Sequence, residues 1–129
     1  MSRPNIIYCL LFAVVLKSCN IAGDCSNRIY KEVFNSNHEF KVVKFDRGCG
    51  ATTGNSIQLS ILKAVDSLPN EGGNLFICNS KVGGYIERDT SVQITWLTNN
   101  EILVKYDRDQ TVFKKESLIK NFQITYLVK

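Results

Sequence analysis

The sequence predicts an all-β protein: one small antiparallel β-sandwich or partly closed barrel of about eight short strands, following an N-terminal signal segment. Three observations carry this. Apolar and polar residues alternate with period two in several short runs, such as Ile57, Leu59 and Ile61 between Gln58 and Ser60. Clusters of Asn, Ser, Thr and Gly separate those runs at hairpin-like intervals. No stretch combines the length and clean 3.6-residue period of a helix.

Taken in order, Ile29–Phe34 and Phe40–Arg47 flank the polar cluster Asn35-Ser36-Asn37-His38 and read as a hairpin. Phe40 and Val42 share one face of the second run, Val43 and Phe45 the other. Both faces are therefore partly buried, or the strand twists across the core. Gly48-Cys49-Gly50-Ala51-Thr52-Thr53-Gly54 interrupts the pattern. Residues 56–63 alternate as a strand, although Ile61, Leu62, Val65 and Leu68 also fit a helical stripe that Pro69 would end. The alternation favours the strand, with an irregular connection or one helical turn up to Gly73. Asn74–Asn79 is a fourth strand, and the polar Ser80–Thr90 an exposed loop. Val92–Trp96 and Ile102–Tyr106, joined at Thr98-Asn99-Asn100, form the clearest hairpin. A charged turn at Asp107-Arg108-Asp109 leads to a last pair, Thr111–Glu116 and Phe122–Val128, the second opened by the turn residue Asn121 and carrying Phe122, Ile124, Tyr126 and Val128 on its apolar face.

Before this domain, Arg3 precedes an unbroken apolar run of eleven residues from Ile6 to Leu16, stopped by Lys17. That length suits a secretory h-region and is too short to span a bilayer as a helix. The organisation expected is a signal peptide over 1–18, a tether over 19–28 and the β domain over 29–129. Leu16-Lys17-Ser18-Cys19 resembles the lipobox of bacterial lipoproteins, with Lys17 a departure from the small or apolar residue usual there. The resemblance implies acylation of Cys19. Ordinary cleavage nearby, and an uncleaved anchor or buried core segment, are the competing readings. The protein is thus expected outside the cytoplasm, in a bacterial periplasm or cell envelope, attached to the membrane by an acyl anchor.

Removing the 18-residue leader from 129 residues leaves 111, one ordinary domain. The chain carries a net charge of +4, or +2 without Arg3 and Lys17, and its lysines are scattered. A nucleic-acid footprint would cluster them on one face, so no nucleic-acid partner is expected. Five cysteines fall at 9, 19, 25, 49 and 78. Cys9 leaves with the leader, and an acylated Cys19 leaves three, one of them unpaired. Cys25 precedes the first strand-like run and Cys49 ends the second, so a hairpin would bring them together as a disulfide, with Cys78 a buried thiol. Cys19–Cys25 is the rival pairing if no lipid is attached. No CxxC occurs and the spacings do not suit a metal site, so neither metal nor cofactor is expected.

FKVVKFDRGCGATTGNSIQLSIL, GGNLFI, VQITWLTNNEILVKY and VFKKE together resemble a family of small bacterial secreted or lipoprotein-like proteins with no assigned function. Its features are a leader, a first cysteine, a CGATT-type motif and a later V-x-W hairpin. The resemblance spans roughly residues 25–127, with Arg47 and Cys49–Thr53 its most specific part. It implies a shared fold, export and the Cys25–Cys49 pairing, and carries no activity. Lys63–Leu68 and Ser80–Thr90 depart from it, and Cys78 is particular to this chain.

The glycine loop alone invites a chemical reading. Gly48 and Gly50 permit close backbone approach, and Thr52 and Thr53 offer hydroxyls, as ligand loops do. The spacing is one residue too long for a dinucleotide fingerprint, and no P-loop lysine follows. A tight turn around a disulfide explains the same residues. His38 reads as a turn residue without a nucleophile or an orienting partner. Trp96 reads as core, with an exposed binding aromatic as the alternative. No catalytic set emerges. The function expected is a non-enzymatic binding module contacting an envelope protein or a cell-wall component. The alternatives are a small periplasmic enzyme using the Cys/Thr loop 48–54, and an inhibitor or immunity-type protein acting on a hydrolase.

Overall fold

The computed structural model describes residues 25–50, 55–80 and 90–129, and these form an all-β sandwich of two sheets. The first sheet contains β1 (Ser26–Phe34), β2 (Phe40–Gly48), β3 (Ser56–Lys63), β4 (Phe76–Asn79) and β7 (Val112–Lys115), hydrogen-bonded in the order β1-β2-β3-β4-β7. The second contains β5 (Val92–Trp96), β6 (Glu101–Tyr106), β8 (Leu118–Ile119) and β9 (Phe122–Val128), in the order β5-β6-β9-β8. The β1–β2 and β5–β6 hairpins fall where the alternation and turn residues place them. Residues 56–63 form the strand rather than the helical stripe, and Val65, which that stripe would bury, is 90% exposed.

The last two runs are both strands, but they do not pair with each other. β7 pairs with β4, while β9 lies parallel to β6, from Glu101 opposite Gln123 to Tyr106 opposite Val128. Parallel neighbours require a crossover. Here β7 provides it by passing through the opposite sheet. The two-residue β8, too short to show a period, then turns the chain into β9.

Sheet pairing follows from burial. Val42, Ile57, Leu59, Phe76 and Cys78 project from the first sheet onto Val104, Tyr106, Phe122 and Ile124 of the second. Between the sheets Phe76, Tyr106 and Tyr126 cluster with centroids 5.4–6.3 Å apart, and the Lys115 ammonium lies 4.8 Å from the Tyr126 ring centre. Such contacts add to the area buried.

Strand β2 is buried on both faces, because Val43 and Phe45 on its outer side are also fully buried. The irregular connection 64–74 folds back along this outer side. Asn74 donates to the Ile61 carbonyl and accepts from the Ile61 amide, the Gly73 amide donates to Gln58 Oε1 at 2.7 Å, and Asn27 donates to the carbonyls of Pro69 and Glu71. Gly73 is required there, since a Cβ would sit 2.7 Å from the Leu59 carbonyl oxygen.

The sandwich has two chemically different ends. At one, β1 begins at Ser26, inside the stretch expected to be tether, because the ladder continues to Ser26 opposite Gly48. Cys25 and Cys49 are the next residues beyond that pair, and they form a disulfide with Cα atoms 4.0 Å apart. At the other end the β1–β2 and β5–β6 turns are locked together. Buried Asn35 donates to the Asn99 carbonyl at 3.1 Å, and Asn99 Oδ1 accepts from Ser36 Oγ and from the Asn37 amide.

Candidate functional site

The glycine loop begins at the disulfide end. Gly48 closes β2, and Gly50 adopts a φ of +116°, a conformation that L side chains rarely take, so the chain bends directly after Cys49. Thr52 and Thr53 lie outside the described residues, as do Cys19, the whole 1–18 leader and positions 81–89 of the polar loop. Cys49 is half of the disulfide, so a nucleophilic thiolate at that position would first require reduction.

The other residues singled out in the sequence are spread across the fold. His38 occupies the exposed β1–β2 turn at φ +57°, with its ring 5.7 Å from Phe34. Cys78 is a fully buried thiol that receives a contact from Gln110 Nε2 at 3.5 Å. Trp96 is half-buried, its indole nitrogen donating to the Val33 carbonyl at 2.8 Å and its ring edge-on to Phe122. Asp107 and Gln110 close the charged turn after β6, and Asp107 pairs with Lys129 at 3.4 Å.

Two inward polar residues near the disulfide end were not legible as such. Lys44 sits opposite Leu59 on the core face of β2, and its Nζ donates to the Val92 carbonyl at 3.3 Å. Gln110 is 8% exposed and donates to the Asn79 carbonyl and to Ser91 Oγ, while its Oε1 has no partner among the described residues. Both tie the ends of strands together.

A concavity lies at the opposite end. A cleft of about 230 Å³ opens between the start of β2 and the end of β3 in the first sheet and the β8–β9 hairpin of the second. Its apolar lining comes from Phe40, Ile61, Ile119 and Phe122, with the Phe40 and Phe122 rings packed edge-to-face at 4.8 Å. Lys63, Lys120 and Asp66 supply charge at its rim. Among the described residues, none of these three side chains makes an ion pair. Lys120 is held in the left-handed region at φ +53°, a conformation that costs a non-glycine residue about 1 kcal/mol and fixes the direction of the hairpin tip.

Sequence reasoning passed over the cleft because its residues come from four separate segments. The one local signal was Lys120-Asn121 between Ile119 and Phe122, a two-residue turn whose first position would ordinarily be Gly or Asn.

The fold and cleft define a small two-sheet β-sandwich with an amphipathic concavity at the end remote from its disulfide. Comparison of the chain with protein-family models, curated proteins and solved structures gives no match.

Proposed function

We propose that the protein is exported and acts as a lipid-tethered, non-enzymatic binding module of a bacterial cell envelope, contacting an envelope protein or a cell-wall component. The observation that carries this reading is the Cys25–Cys49 disulfide. Such bonds persist in oxidising compartments and are rare in the reducing cytosol, and this one begins nine residues after the apolar Ile6–Leu16 run. The resemblance to small secreted proteins with a first cysteine and a CGATT-type motif supports the same placement.

Acylation at Cys19 would also orient the molecule. Six residue steps separate Cys19 from Cys25, so a fully extended tether reaches about 20 Å. The disulfide end would then stay close to the membrane, with the cleft directed away from it. Fractionation of the Cys19→Ser variant tests the anchor. The variant should move from the membrane to the soluble fraction, and unchanged membrane association would refute acylation at that residue.

A further inference from the structure

We infer that the cleft at the turn end is a binding site for a small amphiphilic carboxylate: an aliphatic chain that lies on Phe40, Ile61, Ile119 and Phe122, with its head group between Lys63 and Lys120. The inference concerns the cleft alone and stands whether or not the chain is exported or acylated.

Apolar and charged groups are segregated within the cleft. Phe122 is 2% exposed and Ile61 7%, so the floor is a continuation of the core, and the partly buried Phe40 and Ile119 supply the apolar surface that a hydrocarbon would meet. The rim carries two ammonium groups and one carboxylate, a local charge of one positive unit. Among the described residues, the two lysines have no anionic partner of their own. A monoanion neutralises that rim. A cation would meet two like charges, and a neutral alcohol would leave both lysines as they are. Asp66 disfavours heavier negative charge, so a carboxylate fits better than a dianionic phosphate.

The hairpin geometry fixes where the Lys120 ammonium is carried. Lys120 pays for a left-handed backbone at φ +53° in a turn where Gly or Asn would rest without strain. The result is an ammonium carried at the lip of the cleft by a short hairpin. The cleft's volume of about 230 Å³ lies below the roughly 300–1,000 Å³ of sites for drug-sized ligands, which sets the ligand at fragment size. A dissociation constant of about 0.1–1 mM is expected for such a ligand.

The chain contains one tryptophan, and its ring lies 5.9 Å from that of Phe122, so indole fluorescence reports on the cleft. The experiment titrates the full chain with octanoate, octanol and octylamine, each below its aggregation concentration. Ligand-observed saturation-transfer NMR detects binding, and Trp96 emission locates it. Octanoate should bind and perturb Trp96, octanol more weakly and octylamine least. Lys63→Gln and Lys120→Asn should each weaken octanoate about 2–5-fold, the scale of a rim-exposed ion pair, and Asp66→Asn should tighten it by a similar factor. Lys120→Asn keeps the turn, because Asn tolerates a positive φ, so its loss of affinity would not reflect unfolding. Equal binding of octanol and octanoate, insensitivity to all three substitutions, or no NMR-detected octanoate binding at millimolar concentration would each overturn the assignment.

Discussion

At the scale of single residues, the fold depends on a few positions whose chemistry is not interchangeable. Asn35, 1% exposed, donates to the Asn99 carbonyl and accepts from the Phe40 amide, so it joins two turns from opposite sheets. Asn35→Ala would leave both groups without that partner. It should cost about 2–4 kcal/mol, measured as a shift in the urea midpoint at constant slope. Gly73→Ala would force a Cβ to within 2.7 Å of the Leu59 carbonyl, and a loss of about 1–3 kcal/mol is expected by the same measurement. Lys120→Asn should do the reverse and raise stability by about 0.5–1 kcal/mol, because Asn accepts the left-handed φ more readily. Tyr126 links stability to pH. Burial, and then the nearby charge of Glu116, hold its hydroxyl well above the ordinary value of 10.0. Above pH 10 the unfolded chain therefore ionises this tyrosine while the folded chain does not. Stability falls as pH rises through that range, and Tyr126→Phe should flatten the alkaline slope.

At the scale of elements, the β1–β2 hairpin is the most constrained unit, paired along its length and closed by the disulfide. Reducing Cys25–Cys49, whose partners are 24 residues apart, should lower stability by about 3–4 kcal/mol on the chain-entropy account; an unchanged thermal midpoint would contradict it. This hairpin, the β5–β6 hairpin and the strand over 56–63 were legible in the sequence, because period-two alternation and turn residues act locally. So was the disulfide, since strand ends fix which cysteines face one another. The partners of β7 and β9 were not legible. Local patterning shows that Thr111–Glu116 and Phe122–Val128 are strands. Which sheet each joins depends on which apolar rows remain uncovered once the hairpins have formed. Lys44 shows the same limit, since nothing around it in FKVVKFDR marks it as facing the core. The cleft was invisible for a related reason: β2–β3 pairing brings Phe40 beside Lys63 and Asp66, but Lys120 reaches them only after the two sheets stack.

At the scale of the whole molecule, the sandwich presents two chemically different ends. The disulfide end receives the chain from its N-terminal segment, while the cleft lies at the end with the locked turns and the β8–β9 hairpin. A tether at one end and a recognition surface at the other suit a protein held at a membrane and reaching away from it. On the proposed function that arrangement rests on export, which would supply both the oxidising surroundings of the disulfide and the acyl anchor. Intact mass of the protein recovered from envelope and cytosolic fractions, taken with and without reductant, tests this most directly. The account predicts a chain that begins at Cys19, carries added acyl mass and gains the hydrogens of one dithiol on reduction. A cytosolic product that retains Met1, has no acyl mass and does not change on reduction would contradict it.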